Sequence, residues 1–433
     1  MLENRELVAH EQSMEVLNNL AASLNIVTIS RIKGIIAEEL LRQALDIIQS
    51  RHPLLNSRIV AKKNSFFFEA GADKISLSVA KKQHIQQWEE VVVKELNQKI
   101  NSDKSLLRVT LINFEEEENI CYFITNIHHA IADASSCIQL HSEILTNCQK
   151  ITEGKIETHI IRLNQLPSIY KFIPKEFSNF TERIGNILYL LRLKLQLIRY
   201  KPITLKFEKS VPIESRSCGM IHRKLDSELT ARLLEVCRKQ KTTVQATLGA
   251  AMLFAVAKKN NNQSKNHYFS FRSSINLRPR LQPQLNNEHL GAIASAILSF
   301  HDFQVNDNFW DLARDIKLKL EKGLANGEAF RQILTFKSIM KSFLKNPYQS
   351  AVSAALTNIG RIKVPHNYGQ FELEEISFVP AQAAFGGVFA AAVSTFRGNM
   401  LFNFMFSQPS ISYETVENLA DEMIYIISDF CNQ

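Results

Sequence analysis

The residues best suited to chemistry lie in the segment Ile127-His128-His129-Ala130-Ile131-Ala132-Asp133-Ala134-Ser135, where two adjacent histidines are followed by an acidic residue. Imidazole titrates near neutrality, so a well-placed histidine can take a proton from an alcohol or amine as that group attacks a carbonyl. Three readings compete for His128 and His129. They could hold a metal ion, although neighbours on a strand point to opposite faces and do not easily share one ion. They could be hydrogen-bonded core residues, or one of them could be a general base. Residue types alone leave these readings open. Other chemistries lack their signals, because no G-x-S-x-G elbow, G-x-x-x-x-G-K loop or G-x-G-x-x-G turn occurs in the chain.

A base needs a rigid mount, and the flanking sequence offers one. Ile120 to Ile127 is an apolar run that reads as a strand delivering the histidines, and Ala134 to Asn147 reads as a helix beyond a short turn. Placing an imidazole at a strand end fixes it with the precision that proton transfer requires. Leu106 to Phe114 is a second apolar run, and Glu115-Glu116-Glu117-Glu118-Asn119 between the two suits an exposed turn. Ile26 to Ser30 reads as another strand. Ala37 to Ser50 has helical spacing and ends before Pro53. Residues 1–150 are therefore expected to form a mixed α/β lobe.

Residues 151–217 differ. Pro167, Pro174, Pro202 and Pro212 punctuate them, and they read as a connector. Inside it, Arg183 to Lys201 is helical and very apolar. Such a helix could lie on a membrane as a basic amphipathic element or pack in the crossover. Apolar residues surround it rather than forming one stripe, which favours packing. Residues 218–433 repeat the α/β pattern, with helices expected over Ser227–Lys239, Thr243–Lys259, Asp307–Leu324 and Ser412–Phe430. Strands are expected over Tyr268–Ile275, Phe389–Phe396 and Leu401–Phe406. The uncharged run Ile376–Phe396 contains Pro380 and Gly386-Gly387, so it reads as a loop and a buried strand rather than a membrane span.

The 433 residues, 45% hydrophobic with 14 Gly and 11 Pro, exclude collagen-like and wholly disordered chains. The net charge of +8 divides as −3 over residues 1–150, +6 over 151–217 and +5 over 218–433. This favours an acidic partner without naming one. Six scattered cysteines without a C-x-x-C pair, and an N-terminus without a signal-peptide core, predict a cytoplasmic protein with no transmembrane segment.

His128-His129-Ala130-Ile131-Ala132-Asp133 resembles the HHxxxD signature of the chloramphenicol acetyltransferase-like superfamily, which includes nonribosomal peptide condensation domains and polyketide-associated acyltransferases. Further segments resemble that group in order and spacing. They are Ser50-Arg51-His52-Pro53-Leu54-Leu55, Leu107-Arg108-Val109, Ser274-Ile275-Asn276-Leu277-Arg278-Pro279, Thr357-Asn358-Ile359-Gly360-Arg361 and Thr395-Phe396-Arg397-Gly398. The stand-alone enzymes of the phthiocerol/phthiodiolone dimycocerosyl transferase type are the nearest in pattern. Two departures stand out. Ala134 replaces a glycine that commonly follows the aspartate, and Ala384-Phe385-Gly386-Gly387 lacks the Asp and Trp of the plant-type DFGWG motif, which favours a bacterial type.

The resemblance implies an α/β (α+β) fold of two acetyltransferase-like lobes, a pseudo-dimer with an active-site tunnel between them. The lobes would be residues 1–150 and 218–433. It implies an acyltransferase of lipid or natural-product biosynthesis, with His129 as general base, Asp133 architectural and directed toward an Arg, and His128 supporting the loop. Asn276 and Arg278 would shape the tunnel or pair with the loop. On their residue types, Asn276 also reads as a turn residue and Arg278 as a surface charge. No resident cofactor or metal is implied. The donor would be acyl-coenzyme A or a phosphopantetheinyl acyl carrier protein acting in trans, and the acceptor a small alcohol or amine. No nucleic-acid partner is implied, and a monomer is expected. A silent carrier-binding scaffold and a cyclising or epimerising enzyme remain as alternatives of other classes.

Overall fold

The computed structural model describes residues 4–432 except 64, 81–82, 85, 115–118, 156–159, 178–179 and 261–266. The first part of the chain forms β1 (Arg5–Glu6), α1 (Ala9–Ala21), β2 (Ile26–Lys33), α2 (Glu38–Arg51), β3 (Ser57–Lys62), β4 (Ser65–Ala70), β5 (Ser76–Ala80) and α3 (Gln87–Asn97). Next come β6 (Leu107–Phe114), β7 (Ile120–Ile127), α4 (Ala134–Thr152), α5 (Phe180–Tyr200), β8 (Ser217–Leu225), α6 (Ser227–Lys239), α7 (Val244–Lys259) and β9 (Tyr268–Asn276). The remainder forms β10 (Ala294–Asp302), α8 (Phe309–Ala325), α9 (Glu328–Lys345), β11 (Ala354–Arg361), β12 (Asn367–Tyr368), β13 (Phe371–Pro380), β14 (Phe389–Phe396), β15 (Asn399–Gln408) and α10 (Tyr413–Asn432). The expected mixture of helices and sheets is present. The expected turn at Glu115–Glu118 lies outside the described residues.

The chain divides into two units, and neither is one continuous stretch. The first comprises Met1–Lys171, Pro283–Ile293 and Arg361–Ala381; the second comprises Phe172–Gln282, Ala294–Gly360 and Gln382–Gln433. A division at residues 150 and 217 does not anticipate this. The Pro-punctuated stretch 151–217 is shared between the units rather than standing apart, and β12 and β13 belong with the N-terminal residues. Strand pairing at a separation of several hundred residues leaves no periodic trace in sequence, so β13 could not be assigned to a sheet in advance.

The sheet of the first unit has strand order β12-β13-β2-β7-β6-β5. Antiparallel pairing sets Ile26 opposite Ile127 on β2 and β7, and Leu107 opposite Ile127 on β6 and β7. Every residue of β7 is buried, as suits an apolar central strand covered on both faces. The Ile376–Phe396 run resolves into the end of β13, a loop and the buried strand β14. A smaller sheet, β1-β4-β3, completes the unit.

The second unit holds a sheet of order β10-β9-β11-β14-β15-β8. Its β14–β15 hairpin pairs Ala390 with Met405 and Phe396 with Asn399. Helix α7 is apolar all round and buried from Ala246 to Ala257, as a core helix must be. A hydrogen-bonded row, Ser299–His301–Asp315, ties β10 to α8: both Ser299 Oγ and Asp315 Oδ2 lie 2.7 Å from the His301 ring nitrogens. All six cysteines are buried and none forms a disulfide. Burial pushes the Cys121, Cys148 and Cys218 thiols up to about 12, which leaves them inert as nucleophiles.

Helix α5 departs from the sequence expectation. Its apolar residues do not all pack: six of its isoleucines and leucines lie exposed along one stripe. The sequence looks apolar all round because a second apolar face packs inward beside the exposed one.

Candidate active site

Strand β7 ends at Ile127, and His128 and His129 follow immediately, before α4 begins at Ala134. The intervening turn is closed by backbone bonds: His128 N–H donates to the Leu106 carbonyl at 2.9 Å, and Ile131 N–H donates to the His128 carbonyl at 3.0 Å. The histidines therefore sit on a short, hydrogen-bonded link between a central strand and a 19-residue helix. Such a mount holds a side chain with little play.

Asp133 is the N-cap of α4. Its Oδ1 accepts from the Ser136 N–H at 2.9 Å and from the Ser136 hydroxyl at 3.1 Å. An N-cap aspartate satisfies helix-end donors that would otherwise lack partners. Its Oδ2 accepts from the Ile293 N–H at 3.2 Å, which ties the segment Pro283–Ile293 to the same turn. The carboxylate is buried and fastens two pieces of backbone to the histidine loop.

The two histidines face different partners and carry opposite tautomers. His128 is wholly buried. The Ala130 N–H donates to its Nδ1 at 3.1 Å, which places the ring proton on Nε2. That nitrogen lies 2.9 Å from Glu15 Oε2 of α1. Glu15 Oε1 in turn accepts from Ser102 Oγ at 2.8 Å and from Asn19 Nδ2 at 2.7 Å. Burial pushes the Glu15 carboxyl up, but His128, Ser102 and Asn19 together hold it below its usual range.

His129 retains some exposure. Its Nδ1 lies 2.7 Å from the Ala132 carbonyl, and a carbonyl can only accept, so the proton resides on Nδ1. Nε2 keeps its lone pair, and no described residue hydrogen-bonds to it. Desolvation lowers the His129 pKa below its ordinary 6.5, against the raising influence of Ala132 and Asp133. The ring is therefore neutral at pH 7, as a general base must be before reaction. A second imidazole lies close enough to His129 to affect its charge. This is His10 of α1, fully buried and lowered to about 4, chiefly by desolvation.

Asn276 and Arg278 are placed together in the second unit. The Asn276 Oδ1 accepts from the Arg278 N–H at 3.0 Å at the end of β9, so Asn276 shapes a turn. Arg278 is only 2% exposed, which rules out a solvated surface charge. Among the described residues, no group of three or more His, Cys, Asp or Glu side chains is arranged to hold a metal ion. A cavity of about 370 Å³ in the first unit is lined by Arg51, Gln139, Glu143, Lys150 and Glu288, but not by His129.

Glu15 and His10 are the residues that sequence reasoning missed. Their signal was a row of polar side chains, His10, Glu11, Glu15 and Asn18, on the buried face of α1. Polar groups on a helix face that packs inward call for partners, and Glu15 finds His128.

Known proteins share both halves of this pattern. Residues 13–179 match the condensation domain model, and residues 214–407 match the phthiocerol/phthiodiolone dimycocerosyl transferase C-terminus model. The chain is 21% identical over 320 residues to a probable alcohol acetyltransferase, FCK4, of Fusarium pseudograminearum, a match covering 69% of this chain and 65% of that protein. The chain thus spans somewhat less than two thirds of that relative's length. Its fold is similar to that of the TRI3 trichothecene 15-O-acetyltransferase of Fusarium sporotrichioides, with a TM-score of 0.79 at 14% identity, covering 99% of this chain and 95% of the other. It is also similar to polyketide synthase associated protein 5 of Mycobacterium tuberculosis, with a TM-score of 0.70 at 16% identity, covering 98% of each chain. The resemblance to the chloramphenicol acetyltransferase-like and condensation-domain superfamily, with its stand-alone polyketide-associated acyltransferases, is therefore carried by both halves of the sequence and by the fold of nearly the whole chain.

Proposed function

We propose that this protein is an acyltransferase that moves an acyl group from a thioester to a hydroxyl or amine, with His129 as general base. The observation that carries this reading is the 2.7 Å bond from His129 Nδ1 to the Ala132 carbonyl, which leaves a neutral ring with its lone pair on Nε2. Nε2 accepts the proton of the acceptor's O–H or N–H as that oxygen or nitrogen bonds to the thioester carbon. The carbon–sulfur bond then breaks, and the proton passes from Nε2 to the departing thiolate. Charge and atoms balance without a redox partner.

Asp133 and His128 act on geometry. The first caps α4 and holds Ile293; the second buttresses the turn through Glu15. The donor is an acyl-coenzyme A or an acyl chain on a carrier protein, and the net charge of +8 suits the phosphates of the one and the acidity of the other. The name of the FCK4 relative supports an alcohol acceptor.

The test is incubation with a panel of acyl-coenzyme A and acyl-carrier thioesters together with alcohol and amine acceptors, following thiol release and product mass. The expected result is thiol release dependent on the acceptor, with a product heavier by the acyl fragment. An isomer of unchanged mass would indicate epimerisation instead and overturn the reading.

A further inference from the structure

Helix α5 presents apolar residues on two sides. Inward, Tyr189 donates its hydroxyl proton to Gln332 Oε1 at 2.8 Å, and the Tyr200 ring packs 4.6 Å from Tyr268 and 5.2 Å from Phe300. Outward, Ile184, Ile187, Leu188, Leu191, Leu195 and Ile198 are each between 51% and 66% exposed. At 3.6 residues per turn these positions fall in one stripe roughly 100° wide and about 21 Å long. The next positions around the helix are basic. Arg192 and Arg199 flank one edge and Lys194 the other, with Lys201 just past the helix end; all four are exposed, and Arg192 also lies 3.7 Å from Glu328 of α9. No acidic residue occurs between Ile184 and Lys201.

Six bare aliphatic side chains in one row exceed the scattered exposure that a solvated surface explains. We propose that α5 seats the protein on an anionic lipid surface. The stripe enters the boundary between headgroups and acyl chains, while the two cationic edges meet lipid phosphates. Cations on both sides of an apolar stripe match a plane of headgroups. A second copy of this chain fits poorly, because apposing two such stripes would bring the cationic edges together with no acidic residue of the segment to offset them. A protein partner fits less well too, since the stripe is purely aliphatic and lacks the Trp and Tyr anchors typical of protein interfaces. No helix among the described residues is long and apolar enough to cross a membrane, so α5 would lie on the surface rather than span it.

The test is flotation of the whole protein with vesicles of phosphatidylcholine alone or mixed with phosphatidylglycerol. Two variants accompany the wild type: Leu188→Gln/Leu191→Gln/Leu195→Gln, and Lys194→Glu/Arg199→Glu. All of these positions are exposed, so helix content by circular dichroism should be unchanged. Binding should be roughly tenfold or more stronger to the anionic vesicles and should weaken with salt, and each variant should lower it by a similar factor. Failure of the wild type to float, or equal flotation of the variants, would overturn the proposal. Two other results overturn it when vesicle binding is absent. One is a dimer that the leucine variant converts to a monomer; the other is binding of a phosphopantetheinylated acyl carrier protein that the same variant abolishes.

Discussion

Glu15 Oε2 lies 2.9 Å from His128 Nε2, so a helix near the N-terminus braces the first histidine of the HHxxxD motif. The second histidine bonds the Ala132 carbonyl through Nδ1, which leaves the lone pair on Nε2. On the proposed mechanism, adjacent residues divide support and chemistry between them.

Replacing Glu15 by Ala leaves the buried His128 Nε2 without the carboxylate that lies 2.9 Å away. Leaving a buried polar group without its polar neighbour costs about 1–3 kcal/mol, so the urea midpoint should fall accordingly, and kcat/KM should fall with it as the turn loosens. Glu15→Gln retains an acceptor oxygen and should recover most of the stability. Equal losses in the two variants would show that His128 does not depend on this oxygen.

Asp133 should behave as a positioning residue. Asp133→Ala removes the cap of α4, worth about 0.5–2 kcal/mol, and also releases the Ile293 N–H. Asp133→Asn keeps one acceptor oxygen and should stand between wild type and Ala in both denaturation midpoint and kcat/KM. An Asn variant with wild-type stability and no activity would place the carboxylate in the chemistry itself.

The rate profile should report the desolvated ring. Because the His129 pKa lies below 6.5 in the folded protein, the base stays neutral down to that pH. The acid limb of log kcat/KM against pH should therefore have its midpoint below 6.5. A limb centred above 6.5 would point to another group.

Stability should fall with acid before most carboxylates titrate. His10 and His141 are buried with pKa values lowered to about 4 and about 3, so below pH 6.5 the unfolded chain binds protons that the folded chain refuses. Their contribution is complete above pH 6.5 and is lost as pH falls toward those values. The two histidines together should cost roughly 4 kcal/mol between pH 7.5 and pH 5. Urea midpoints at pH 7.5 and pH 5 measure this, and equal midpoints would refute it.

Much of the fold was legible because it is local. The helix expected at Ser227–Lys239 forms over those residues, and Ile120–Ile127 is a strand leading into the histidines. Non-local pairing was not legible. Nothing in Phe371–Pro380 says that it pairs with Ile26–Lys33, and nothing in Glu15 says that it meets His128. Helix α5 misled because its sequence mixes a packed face with an exposed one, which periodicity alone cannot separate. At the site, the histidine and aspartate types were readable, whereas the opposite tautomers of His128 and His129 depend on carbonyl and amide positions that only the fold supplies.

The claim that His129 Nε2 is the base is tested most directly by kcat/KM for acceptor-dependent thiol release in His129→Ala against wild type, with the urea midpoint as a control. General-base catalysis contributes about 10²–10⁴-fold, and the expected loss lies in that range with an unchanged fold. Full turnover in a folded His129→Ala variant would contradict the account.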